Sequence, residues 1–195
     1  MLPQLLCWKK SLKNLKGDAL RFEKWFFLSS SKVLFSDKPA ELVLFKENPF
    51  KISLNVQLKR ARSLGLHWGL GIFEVYRDNR GVRVIIYNHS RVNGVLKKIK
   101  NTPLFINLGY AGNLTAEQFF GKLKEKWEKT GKIPHEIAVV FGYPLKDVVG
   151  YLKMTPLKYR GTYGWKMYGD LEQSMKIKRK YDRAREIALK FLQDI

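Results

Sequence analysis

Hydrophobic positions recur along this chain at two spacings, and the stretches of each are separated by Gly, Pro and Asn. From Leu5 to Phe27 the apolar residues keep to one side of a helical wheel, weakly interrupted at Gly17, and predict an amphipathic helix. Asn48-Pro49 reads as a cap with proline in the first turn. Phe50, Leu54, Leu58, Ala61 and Leu64 follow at helical spacing, and Gly65 reads as the stop. Two strand-like runs, Leu70 to Tyr76 and Val82 to Tyr87, flank Asp78-Asn79-Arg80-Gly81, a turn sequence that predicts a β-hairpin. In the second run Val82, Val84 and Ile86 alternate with Arg83, Ile85 and Tyr87, so one face is wholly apolar.

Beyond the hairpin, Ser90 reads as the cap of a short helix with Val92, Val95, Leu96 and Ile99 on one side, and Thr102-Pro103 opens another that ends at Gly109. Thr115-Ala-Glu-Gln118 has the form of a capping box, and it introduces Phe119, Phe120, Leu123 and Trp127 before Gly131 ends the helix. The apolar run from Ile133 to Phe141 predicts a buried strand. Gly142-Tyr143-Pro144 then turns the chain into a helix bearing Leu145, Val148, Val149 and Leu152. A last strand is expected over Tyr163 to Tyr168. Asp170 with Gln173 caps a final helix whose Ile177, Tyr181, Ala184, Ala188, Phe191 and Ile195 alternate spacings of four and three. Ser29-Ser30-Ser31 reads as a loop or helix end. No repeat or linker divides the chain, so one α+β domain over residues 1–195 is expected. Its sheet would be small, antiparallel or mixed, with one β-hairpin, packed by several helices.

Composition changes this picture in one respect. A hydrophobic content of 45% and 195 residues suffice for one core and exclude disorder. The charge does not balance: 37 Lys or Arg face 17 Asp or Glu, a formal net charge of +20. Residues 51–100 carry +9 and residues 151–195 carry +6, whereas residues 1–50 and 101–150 carry +4 and +1. Such an excess calls for an anionic partner. The N-terminal apolar stretch precedes its lysines rather than following them, the reverse of a signal peptide, and no run approaches a membrane span. With a single cysteine, Cys7, a cytoplasmic protein without a disulfide framework is expected.

Motifs for common chemistries are missing. Gly65-Leu-His-Trp-Gly69-Leu-Gly71 lacks the Lys-Ser/Thr ending of a phosphate loop. His67, His89 and His135 are too far apart for a local metal motif, so neither a metal nor a cofactor is expected. Cys7, in a Leu-rich and Lys-flanked segment, reads as a core or interface thiol rather than a nucleophile.

The most informative stretch is Ile133-Pro-His-Glu-Ile-Ala-Val-Val-Phe-Gly-Tyr-Pro-Leu-Lys-Asp-Val-Val-Gly-Tyr151. It resembles the signature of an uncharacterised, mainly clostridial family, the domain-of-unknown-function family numbered 3793, in which Pro-His-Glu-Ile-Gly is followed by Gly-Tyr-Pro and an acidic-Val helix. Tyr163-Gly164-Trp165-Lys166-Met167-Tyr168 resembles the aromatic string of that family with its first two residues exchanged, and Lys38-Pro39-Ala40-Glu41-Leu42 resembles a third, weaker block. The specific part runs from about Ile133 to Tyr168. Two departures stand out: Ala138 replaces a glycine, and Ser29-Ser30-Ser31-Lys32 stand where relatives carry a His-Cys string. The resemblance implies no activity.

Three functional readings are open on the residues. His135 and Glu136 could supply a general base with its orienting carboxylate or two metal ligands, or shape a small-ligand pocket with Tyr143 and Trp165, although neighbours on a strand would face opposite ways; the plainer reading is that His135 caps or hydrogen-bonds the turn while Glu136 pairs with a lysine. Tyr159, Tyr163, Trp165 and Tyr168, interleaved with Lys158, Arg160 and Lys166, fit single-strand binding, in which rings stack on bases while cations neutralise phosphate; the alternative is a strand that packs Trp165 in the core. Arg60, Arg62, Arg83, Arg91, Lys97, Lys98 and Lys100, together with Lys178, Arg179, Lys180 and Arg183, lie in stretches poor in compensating acids. These basic surfaces make a non-enzymatic binder of RNA or DNA the leading expectation. The stripe on the final helix could instead pair with a helix of a protein partner.

Overall fold

The computed structural model describes residues 3–110 and 112–193. Helix α1 (Pro3–Ser11) and a short 3-10 turn lead into α2 (Gly17–Phe35), so the first predicted helix is two, and the second is longer than expected. The Ser triplet lies inside α2 rather than in a loop: Ser30 and Ser31 are buried, and the Ser30 hydroxyl donates to the Phe26 carbonyl at 2.8 Å. Strand β1 (Ala40–Phe45), which the sequence reading left unassigned, is followed by α3 (Leu54–His67). Asn48-Pro49 is a cis peptide in the preceding loop and Ser53 takes the cap position, so the helix begins later than the Asn-Pro pair indicated. Gly65 does not end this helix. It lies within α3, where a Cβ would stand 2.8 Å from the Ile72 side chain, and its smallness lets the following strand approach.

The hairpin forms as expected from β2 (Gly71–Asp78) and β3 (Gly81–Tyr87). β3 also pairs antiparallel with β1, which makes it the central strand of a three-stranded sheet in the order β1-β3-β2. Its alternation therefore serves two cores rather than one. Val82, Val84 and Ile86 join Phe22, Phe26, Phe27, Trp68 and Phe191 on one face. Ile85 and Tyr87 join Phe105, Phe119, Phe120 and Val140 on the other. Covering both faces with helices accounts for a strand that is buried nearly throughout.

The second face is covered by α4 (His89–Ile99), α5 (Pro103–Asn107) and α6 (Ala116–Thr130). Asn88, not Ser90, caps α4 by accepting from the Arg91 amide, because the helix starts two residues earlier than the serine implied. The Thr115–Gln118 capping box is present and Gly131 ends α6 in a left-handed conformation, both as predicted. The strand predicted over Ile133 to Phe141 is absent. Pro134 to Glu136 turn the chain, and Ile137–Val140 form a single helical turn, α7. A short continuous apolar run is equally compatible with a buried helix segment, and here Ile137, Val139 and Val140 are buried as one.

α8 (Leu145–Tyr151) follows Pro144. The last predicted strand is instead a second, two-stranded sheet: β4 (Tyr159–Thr162) and β5 (Lys166–Tyr168) pair around a turn at Tyr163-Gly164-Trp165. α9 (Glu172–Gln193) then lies along α2 with Tyr181, Ala184, Ala188 and Phe191 buried, so the described part of its stripe is occupied within the chain; Ile195 lies outside the described residues. The result is one α+β domain, with a three-stranded sheet between two helical layers and a small hairpin at one side. No helix among the described residues is long and apolar enough to cross a membrane.

Candidate aromatic cleft and hairpin surface

The three stretches that resemble the family meet in space. Asp147, in the first turn of α8 and 2% exposed, is the hub that ties the first of them to the aromatic string. Its Oδ1 accepts from the Lys146 ammonium and the Tyr168 amide, each at 2.8 Å, and its Oδ2 accepts from the Trp165 indole at 2.8 Å and the Ser174 hydroxyl at 2.7 Å. One carboxylate thus joins α8, β5 and the start of α9. Burial alone would raise its pKa, but the hydrogen bonds from Lys146, Trp165, Ser174 and Tyr168 outweigh burial and hold the carboxyl below its ordinary value of 3.8.

Beside this hub, Tyr143 stacks on Trp165 with centroids 4.5 Å apart and planes 14° from parallel. On the far side of Tyr143 lies Lys38, 1% exposed, whose ammonium is 4.9 Å from the Tyr181 ring centroid, 5.3 Å from that of Tyr143 and 5.7 Å from that of Phe141. It donates to Glu41 at 3.0 Å, and Lys32 reaches the same carboxylate oxygen at 3.1 Å. Burial, assisted by Lys32 and opposed by Glu41, lowers the Lys38 pKa. Burial, with Glu41 nearby, pushes the Tyr143 phenol up to about 12. The Tyr181 hydroxyl donates to the Gly142 carbonyl at 3.1 Å, which closes the arrangement from α9.

A cleft of about 240 Å³ opens in front of Tyr143 and Trp165, lined also by Ile137, Ala138, Tyr151 and His135. His135 is exposed at its mouth and meets Tyr151 edge to face with centroids 4.8 Å apart. Lys166 stands on the rim, its ammonium 5.0 Å from the Tyr151 ring centroid. Glu136 is not part of the cleft. It is 5% exposed and accepts from the Tyr110 hydroxyl at 3.0 Å and the Lys126 ammonium at 2.8 Å. The expected pocket therefore keeps His135, Tyr143 and Trp165 and loses Glu136, because the turn at 134–136 sends the two neighbours apart. A base with its orienting carboxylate is not assembled. Among the described residues no group of three His, Cys, Asp or Glu side chains could hold a metal ion.

Past the cleft, the chain from Tyr151 to Tyr168 is the most open aromatic surface of the molecule. Tyr159 is 50% and Tyr163 42% exposed, and Tyr151, Met154 and Leu157 are exposed with them. Tyr159 is held by a 2.8 Å hydrogen bond between its hydroxyl and that of Thr162, and its ring lies 5.6 Å from that of Tyr168. Of the three aromatic candidates, Tyr163 faces solvent, Tyr168 is half-buried against Tyr159, and the half-buried Trp165 belongs to the cleft wall.

The basic candidates are divided between structural duty and free charge. Arg60 is bound to the buried Glu23 at 2.6 Å, and Arg83 lies 3.1 Å from Asp78 beside the stacked Tyr76 and Trp127 rings. Lys100 donates to Asn113, Lys178 pairs with Asp182, and Lys180 pairs with Asp37. Arg91 donates to the Val33 carbonyl at 2.7 Å and the Ser36 carbonyl at 2.6 Å, so it closes the C-terminus of α2. Arg62, Lys97, Lys98, Arg179 and Arg183 are exposed cations. Arg91→Ala is expected to cost about 2 kcal/mol by urea denaturation, since it strips charged donors from two carbonyls. An unchanged midpoint would show that water replaces the guanidinium there.

Ser174 has no place in the sequence reading, Lys38 appears there only in the weak family block and Tyr181 only in the apolar stripe of the final helix, none of them as part of a site. Only Asp147, a carboxylate set among Leu145, Val148, Val149 and Leu152, left a signal: an acid on an apolar helical segment must find buried donors. Cys7, expected in a core or interface, is exposed on α1. Comparison with curated proteins and with solved structures returns no match. The family described as "Protein of unknown function (DUF3793)" matches residues 26–195, which takes in every element of the cleft and the hairpin, and the chain belongs to that family.

Proposed function

We propose that this protein binds single-stranded nucleic acid through the β4–β5 hairpin and the segment that leads into it. The observation that carries this reading is the composition of that surface. Between Val148 and Gly169 there is no carboxylate, while Lys153, Lys158, Arg160 and Lys166 are all exposed beside the open rings of Tyr159 and Tyr163. Rings offer stacking platforms to unpaired bases, and cations beside them neutralise phosphate without reading sequence. The free cations of α4 and α9 add long-range attraction rather than contacts of their own. This moves the expected interface from the two basic runs to the aromatic hairpin, because several of the arginines and lysines in those runs are bound to the protein itself.

Fluorescence anisotropy with labelled oligo-dT and oligo-rU at low salt tests the reading. Binding is expected to weaken steeply with salt. Tyr159→Ala combined with Tyr163→Ala is expected to weaken it about 100-fold, from roughly 1–3 kcal/mol per stacked base. Heparin and anionic vesicles, which carry charge without bases, should bind the double variant and the unaltered protein alike. Absence of binding at low ionic strength, or equal affinity of the double variant for oligonucleotides, overturns the proposal.

A further inference from the structure

We infer that the cleft between α7, α8 and β5 takes one nucleoside monophosphate unit, with the base between the aromatic walls and the phosphate at Lys166 and His135. The identity of the occupant rests on the nucleic-acid reading above; the existence of the site rests on the cleft. Drug-sized ligands fill roughly 300–1,000 Å³, so a cleft of about 240 Å³ limits the guest to one ring system. The walls set its chemistry. Tyr143 and Trp165 form a stacked pair, Tyr151 and His135 an edge-to-face pair, and Ile137 and Ala138 close the space with apolar surface, an environment for a planar ring.

The polar groups select the sign of the guest's charge. Asp147 is the only carboxylate at the cleft, and both of its oxygens are already engaged, each by two donors from within the protein. It offers nothing to a cationic ligand. Lys166 and His135 at the rim leave donors for an anion. A flat ring bearing a phosphate satisfies both features. Trp165 and Lys166 also belong to the turn and strand of the hairpin, so a strand lying along Tyr159 and Tyr163 passes the mouth of the cleft. No free side chain at the floor reads a base edge, so selectivity would come from ring size rather than from hydrogen bonding.

Amide and indole NMR shifts of the full chain, titrated with AMP, adenosine and ribose 5-phosphate, test this. AMP is expected to move the Trp165 indole and the Ala138 and Lys166 amides in a saturable way. Adenosine should bind about tenfold more weakly, since one charged contact is lost, and ribose 5-phosphate should leave the Trp165 indole unmoved. Ala138→Phe, which fills the cleft, should abolish the shifts. Should that variant misfold, Lys166→Ala, on the exposed rim, should reduce AMP to the affinity of adenosine. Tyr159→Ala with Tyr163→Ala should leave AMP binding intact while losing oligonucleotides, which separates failure of the hairpin reading from failure of the cleft. The same Trp165 shift on adding a short oligonucleotide marks the guest as a unit of a strand; its absence there, with AMP still bound, marks a free nucleotide. A Trp165 indole that does not respond to millimolar AMP overturns the inference.

Discussion

Asp147→Ala is expected to lower the melting temperature by about 10 °C. Breaking a buried charge cluster by removing one partner costs roughly 3–5 kcal/mol, and a chain of this size loses about 2–4 °C per kcal/mol. The variant leaves the Lys146 ammonium, the Trp165 indole, the Ser174 hydroxyl and the Tyr168 amide without their common acceptor. Because three elements converge on this carboxylate, the loss should release the hairpin and the start of α9 together, and hydrogen exchange should show both regions opening at one free energy. The pH dependence has a defined sign. The folded pKa lies below the ordinary value of 3.8, so the contribution is complete above that value and is withdrawn as pH falls through the folded one. The stability gap between the protein and Asp147→Ala should therefore be constant from pH 5 to 7 and narrow below pH 4. A gap that stays constant down to pH 2, or a melting temperature within 2 °C of the unaltered protein, would contradict this role.

Gly142→Ala is expected to cost about 3–4 kcal/mol, whereas Gly131→Ala costs about 1 kcal/mol. The two glycines have nearly the same left-handed conformation, with φ of +71° and +65°. Their surroundings differ. At Gly131 a Cβ would meet nothing within 4 Å, so only the backbone preference is lost. At Gly142 it would stand 2.5 Å from the Tyr181 hydroxyl and 2.8 Å from Pro39 Cδ. Accommodation would push α9 or the segment before β1 outward and break the Tyr181 hydrogen bonds. Parallel urea denaturation of the two variants isolates the packing contribution from the backbone one, and equal costs would show that the site relaxes around the added methyl group.

The two experiments bear on how much of this molecule can be read from its residues. Elements whose signals are local appear as expected: the Asp78–Gly81 turn between two β-rich runs, the capping box at Thr115, the left-handed Gly131 and the long α9. Elements defined by distant partners do not. β1 is a strand because β3 lies beside it, some forty residues on, and nothing in Ala40–Phe45 names that neighbour. Ile133 to Phe141 has strand composition, but no strand among the described residues pairs with it, and the run folds into a turn and one helical cycle that packs Ile137, Val139 and Val140 into the second core. For the site, Tyr143 and Trp165 are legible as pocket residues and the pairing of Glu136 with a lysine, Lys126, is found, while the pocket reading of Glu136 fails because a turn rotates successive side chains differently from a strand.

By itself the sequence determined the α+β class, the two ends of α6, the hairpin and the surplus of cations, since each follows from the chemistry of residues a few positions apart. The tertiary structure decided which cations remain free, that β3 serves two cores, that Tyr143, Tyr151 and Trp165 wall one cleft, and that Asp147, Lys38 and Tyr181 hold those walls from within the protein. Those outcomes depend on which donors and acceptors meet after water is excluded, and that pairing joins segments beyond the reach of local patterns, as Lys38 meets Tyr181 and Asp147 meets Ser174.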